Sequence, residues 1–154
     1  MLDSEKLGAA RRRLLRNWAP GSALHLNVIF TSVEGTEAAL KAASKLARGL
    51  SASLSIIAAL PVPHRVPLDQ PMIDPDHVRR QILAMLPGLA AESYVRIEIC
   101  VSRDSRECVQ RLLAPGSLVV VGGQSSWRAT RERRLERELR ALGHEVVLVN
   151  QGGR

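Results

Sequence analysis

The sequence predicts an α/β fold, a doubly wound domain on a five-stranded parallel sheet with helices on both faces and an extra N-terminal helix. Three observations carry that expectation. Five apolar runs alternate with segments of helical period and no hairpin signal falls between them, which is the pattern of βαβ units with right-handed crossovers. One run, Ser117 to Gly122, is continuously apolar, as a central parallel strand buried on both faces must be. Only 3% of the 154 residues are aromatic although 45% are hydrophobic, so the core is built from Ala, Val, Ile and Leu, which suits strands covered by helices.

The elements follow in order. Residues 2 to 18 place Leu7, Ala10, Leu14 and Trp18 at helical spacing, with Arg11, Arg12, Arg13 and Arg16 mainly on other faces, and Pro20, Gly21 and Ser22 stop the helix. So short a helix is marginal alone and its stripe needs a partner, the domain itself or a second protein. His25 to Ser32 forms the first strand, and Glu34, Gly35 and Thr36 form a tight turn into a helix. That helix turns Ala39, Ala43, Leu46 and Leu50 inward, with Lys41, Lys45 and Arg48 outward and Glu37 spaced to pair with Lys41. Ser53 to Leu60 is the second strand, and Pro61, Pro63, Pro67 and Pro71 force an extended loop. Asp74 caps and Pro75 opens the next helix, whose stripe is Val78, Ile82, Met85 and Leu89 and which frays at Pro87 and Gly88.

Tyr94 to Val101 is the third strand. Val95, Ile97, Ile99 and Val101 alternate with Arg96 and Glu98, so one face is partly open, as near a sheet edge. Asp104 and Glu107 have capping-box spacing for a short helix with Val109, Leu112 and Leu113 inside, ended by Pro115 and Gly116. After the central strand, Ser125 or Ser126 caps the last helix; Leu135, Leu139 and Leu142 face in and Gly143 is its C-terminal cap. Glu145 to Asn150 is the fifth strand.

Size allows one domain, 23–154, behind an amphipathic basic segment, 1–22. Net charge is +7 and is concentrated in two places: residues 1 to 24 hold five basic and two acidic side chains, residues 128 to 140 six and three. Such charge permits an anionic partner. In the last helix, Arg128, Arg131, Arg133, Arg134, Arg137 and Arg140 are interleaved with Glu132, Glu136 and Glu138, the composition of a solvated, salt-bridged face, and Trp127 is a single aromatic. Nucleic acid and membrane surfaces are therefore disfavoured as partners. Cys100 and Cys108 are too few for a disulfide framework and lack companions for a zinc site, so they are expected as free thiols in a reducing cytoplasm; Cys108, near a helix start, is a candidate for a lowered pKa but more simply a small buried residue. His25, His64, His77 and His144 show no metal spacing, and only His64 is placed near the cleft at the strand ends. No nucleophile elbow, triad signature or carboxylate pair argues for hydrolysis.

Over residues 25 to 150 the chain resembles the universal stress protein family. The resemblance is carried by Val28 to Leu40, Val101 to Asp104, Leu118 to Gly122 and Val146 to Val149, taken in that order. It implies strand order 3-2-1-4-5 and a homodimer through the fifth strand, here Val146, Val147, Leu148 and Val149, whose apolar run needs covering. Nucleotide-binding members carry glycines after strand four that let backbone N–H groups reach phosphate, followed by a hydroxyl. Here only Gly122 matches; Ser125, Leu135 and Glu136 stand at the later positions, and no glycine occurs from Gln124 to Leu142. The family's aspartate after strand one is replaced by Glu34. The resemblance, so altered, implies a non-catalytic regulatory or interaction protein connected with stress, with a degenerate nucleotide site and no cofactor. The alternative is an adenine-nucleotide binder holding ATP with Mg in a remodelled cleft at the ends of strands one and four, its contacts Glu34, Gly122, Gly123, Ser125 and Ser126.

Overall fold

The computed structural model describes residues 8, 9, 11, 12, 24–47, 52–67, 73–88, 94–114, 117–123 and 130–150. Five strands, β1 (Leu24–Ile29), β2 (Ala52–Pro61), β3 (Tyr94–Ser102), β4 (Leu118–Gly123) and β5 (Glu145–Asn150), form one sheet in the order β3-β2-β1-β4-β5. Every neighbouring pair is parallel. The expected fold class and strand order are thus the ones observed.

Strand parity divides the core in two. Leu26, Val28, Leu54, Ile56, Leu118, Val120, Val147 and Val149 point to one face, where α1 (Val33–Leu46) and α2 (Pro75–Met85) cover them with Ala39, Leu40, Ala43, Leu46, Val78 and Ile82. Ile29, Ile57, Val119, Val121 and Val146 point to the other, under α3 (Ser105–Leu112) and α4 (Thr130–Ala141) through Val109, Leu113 and Leu139. The β4 run is buried throughout, as a strand covered on both faces requires.

The helix starts differ from expectation in detail. Glu34, Gly35 and Thr36 are not a turn before α1 but its first turn, because Ser32 caps the helix: its hydroxyl accepts from Gly35 N at 3.0 Å. Asp104 caps α3 by accepting from Arg106 N, but its own N–H donates to Ser102 Oγ, so the reciprocal Glu107 half of a capping box is not made. Asp74 caps α2 as expected, with Pro75 in its first turn, and the helix tightens into a 3₁₀ turn at Leu86–Gly88. Glu37 and Lys41 do not form the ion pair their spacing predicts; α1 is held by its buried stripe instead. Leu142 is 49% exposed rather than inward, since the chain leaves α4 at Gly143, whose φ of +93° a residue with a Cβ adopts only with strain.

The largest departure is at the cysteines. Cys100 and Cys108 are not free thiols but a disulfide, with Cα atoms 6.0 Å apart. Parity puts Cys100 on the same face of β3 as Arg96 and Glu98, and α3 returns over that face with Cys108 on its buried side. The N-terminal helix lies outside the described residues except at four positions, among which Arg11 donates to Lys45 O at the end of α1 at 3.5 Å. Leu50, Pro71, Leu89, Pro115, Gly116, Ser125, Ser126, Trp127 and Arg128 also lie outside them. No helix among the described residues is long and apolar enough to cross a membrane.

Candidate functional site

In a sheet of this order the connections reverse direction between β1 and β4, and the crevice beyond their C-terminal ends is where open α/β sheets take ligands. Among the described residues, the chain reaches that crevice through Thr31 and Ser32 leaving β1, the first turn of α1, and Gly122 and Gly123 ending β4. Thr31 Oγ1 donates to Gly122 O at 2.6 Å, and Thr31 N donates to Thr36 Oγ1 at 3.2 Å. These bonds bind the start of α1 directly to the end of β4.

The glycines permit that contact. A Cβ on Gly122 would fall inside the carbonyl group of Gly35, and a Cβ on Gly35 would lie 2.8 Å from Gly122 O and from Thr31 Oγ1. Gly35 and Gly122 therefore face each other backbone to backbone, and both are buried. Gly123 is buried too, beneath the side chain of Glu132, whose Cγ would stand 3.0 Å from a Cβ placed there. Glu132 comes from the first turn of α4 and is half-buried.

Of the five residues expected to contact a nucleotide, the structure brings three to this crevice. Glu34 is exposed on the first turn of α1, and Gly122 and Gly123 end β4; Ser125 and Ser126 lie outside the described residues. The carboxylate against the strand end is Glu132 rather than Glu136, which instead pairs with Arg140 at 3.7 Å across one helical turn. Sequence reasoning missed Thr31, Gly35 and Glu132. Gly35 had a legible signal, a glycine three residues after a capping serine, whereas Glu132 depended on where α4 begins.

A phosphate group needs N–H groups exposed by glycines that nothing else approaches. At both glycines the side-chain direction is taken, at Gly122 by the backbone of Gly35 and at Gly123 by the side chain of Glu132. A carboxylate beside a phosphate adds repulsion of about 1 kcal/mol even in water at 4 Å. No cluster of three or more His, Cys, Asp or Glu residues able to hold a metal occurs among the described residues.

The Arg/Glu face of α4 is partly paired, by Glu136 with Arg140 and by Glu138 with Arg106 of α3 at 3.7 Å. Arg140 also donates to Val146 O at 3.1 Å. Glu145 N donates to Ser117 O, on the chain leading into β4, so alternation turns the polar groups of Val146 and Leu148 to the outer edge of β5. Arg140 thus occupies one carbonyl of that edge. At the opposite end of the sheet, His25 has Nδ1 2.6 Å from Ser53 Oγ and Nε2 3.2 Å from Ser55 Oγ, and His144 Nδ1 accepts from Ser117 N at 3.2 Å. His64 is exposed in the loop after β2.

Fold and crevice together define a class: a doubly wound parallel α/β protein whose two glycines at the end of β4 pack against its own chain. No protein-family model, curated protein or solved structure matches the sequence.

Proposed function

We propose that the chain is a non-catalytic regulatory or interaction protein similar to universal stress proteins, acting in the stress response in the cytoplasm with a degenerate nucleotide site. The observation that carries this reading is the filled crevice: Gly35 against Gly122, and Glu132 against Gly123. Nucleotide-binding members of the family that the chain resembles use glycines after strand four to reach phosphate; here Gly122, the one position that matches, packs on Gly35. What remains for function is surface rather than cleft.

Isothermal titration with ATP and magnesium tests the reading. No binding up to millimolar nucleotide is expected, and none for Glu132→Ala, because removing the carboxylate leaves Gly122 covered by backbone. Micromolar binding to the unaltered protein overturns the proposal in favour of a remodelled site using Glu34, Gly122 and Gly123.

The same reading includes a homodimer through the Val146 to Val149 strand. Its support is the apolar composition of an edge strand that has polar backbone groups to satisfy. Arg140 has to withdraw from Val146 O for another strand to pair there. Arg140→Ala is therefore expected to tighten dimerisation in sedimentation experiments. A monomer at micromolar concentration, with or without Arg140, removes this part of the proposal.

A further inference from the structure

The chain contains two cysteines, and they are bonded to each other across a β3–α3 corner, eight residues apart. Nothing in the packing of the crevice uses them. Their surroundings are unequal. Cys100 is 8% exposed and accepts a hydrogen bond from Arg111 Nη2 at 3.0 Å, whereas Cys108 is 1% exposed in the layer beneath α3. A guanidinium against a sulfur favours its thiolate, and thiolate character with access decides which cysteine reacts. The other charged groups of β3 and the start of α3 are Arg96, Glu98, Arg103, Asp104, Arg106 and Glu107, of which Arg103 donates to Pro63 O at 2.7 Å. Glu98 is already engaged by Arg96 at 3.3 Å, and Arg106 lies 3.9 Å from Asp104, which leaves Arg111 as the cation at Cys100.

We propose that Cys100 and Cys108 are a reversible thiol–disulfide switch, with Cys100, beside Arg111, as the sulfur that reacts with a hydroperoxide and Cys108 as the thiol that resolves it. In the dithiol form the Cys100 thiolate attacks the hydroxyl oxygen of the hydroperoxide. The O–O bond breaks, Cys100 becomes a sulfenic acid, and the departing alkoxide takes a proton from water to leave as an alcohol. Cys108 then attacks the Cys100 sulfur; the S–S bond forms, the S–O bond breaks, and the hydroxide leaves as water with the proton of the Cys108 thiol. The two sulfurs together lose two electrons and the hydroperoxide gains them.

A dithiol reductant reverses the change. Its thiolate attacks the sulfur of Cys100, the less buried of the two residues, and releases Cys108, which is protonated. Its second thiol then attacks the mixed disulfide, releases Cys100 as a thiolate against Arg111, and the reductant departs as a disulfide. The structural consequence falls on α3, whose eight residues are too few to hold a helix alone. With the bond closed, α3 is anchored to β3. With it open, the segment is held by the inward contacts of Val109, Leu112 and Leu113 and by the exposed pair of Arg106 with Glu138.

The test uses the full chain, reduced with dithiothreitol under native conditions and then exposed to limiting hydrogen peroxide with dimedone present. Peptide mass spectrometry is expected to find the sulfenic adduct on Cys100, strongly in Cys108→Ser and weakly in the unaltered protein, where the disulfide re-forms. The pH profile of Cys100 alkylation is expected to have its midpoint below the usual thiol value of about 8.5, because Arg111 lies against the sulfur. Arg111→Ala should slow alkylation at neutral pH about tenfold and Arg111→Lys should restore most of it. Hydrogen exchange in residues 103–114 is expected to quicken on reduction. The proposal is overturned by a disulfide that native-state dithiothreitol leaves intact, by an adduct on Cys108, by an unshifted alkylation midpoint in the unaltered protein, or by hydrogen exchange indifferent to the redox state. None of these readouts depends on whether the crevice binds nucleotide.

Discussion

Replacing Gly122 by Ala puts the closed crevice to the most direct test. The added methyl falls inside the Gly35 carbonyl, and neither partner is a flexible side chain that can swing away. Relief requires the first turn of α1 to withdraw from β4, which also breaks the 2.6 Å bond from Thr31 Oγ1 to Gly122 O. Overpacking costs about 1–3 kcal/mol, with the upper end applying where backbone has to move, and the lost hydrogen bond adds about 1 kcal/mol. A total of about 3–4 kcal/mol is a large part of the 5–15 kcal/mol that ordinarily holds a domain together. At about 2–4 °C per kcal/mol for a chain of this size, the melting temperature should fall by about 6–16 °C in scanning calorimetry. Gly143→Ala is the control: no atom lies within 4 Å of a Cβ there, so only the backbone cost of a positive φ, about 1–2 kcal/mol, is expected. A Gly122→Ala protein that melts within about 2 °C of the unaltered one refutes the close packing of Gly35 on Gly122 and, with it, the filled crevice behind the proposed function.

Other outcomes follow from the packing. Leu139→Ala should cost about 2–5 kcal/mol in urea unfolding because Leu139 is 2% exposed, while Leu142→Ala, at 49% exposed, should change little; equal costs contradict the observed end of α4. Reducing the disulfide opens a loop of eight residues, and the chain-entropy relation gives about 2.5 kcal/mol, read as a lower urea midpoint in dithiothreitol; an unchanged midpoint argues that the pair is already reduced in solution. Asn27→Ala removes the 3.1 Å bond to Leu118 O from a buried site and should destabilise by about 1–3 kcal/mol in urea unfolding; an unchanged midpoint refutes that contribution.

Much of the architecture was legible because period is written into composition. The runs in β2, β4 and β5 are apolar enough that no helical reading competes, and Pro75 and Gly143 mark helix ends by their fixed or permissive backbone. Helix starts were less legible. Ser32 looked like the last residue of a strand because its capping role depends on a hydrogen bond three residues ahead. The disulfide was missed for a related reason: two cysteines eight residues apart carry no pairing signal until β3 and α3 are known to fold back on one face. At the crevice, the absence of glycines from Gln124 to Leu142 already weakened a phosphate site, but the residue that covers Gly123 could not be chosen among Glu132, Glu136 and Glu138 without the position of α4.

Local patterning thus determined what kind of sheet this chain makes, since hydrophobic period and turn chemistry act over a few residues and are readable where they stand. Two contacts came only from the tertiary structure. The approach of Gly35 to Gly122 joins β4 to a helix that precedes it by more than seventy residues, and the Cys100–Cys108 bond requires a strand and its following helix to share a face. Both are distances between backbones set by packing, and packing depends on every element at once.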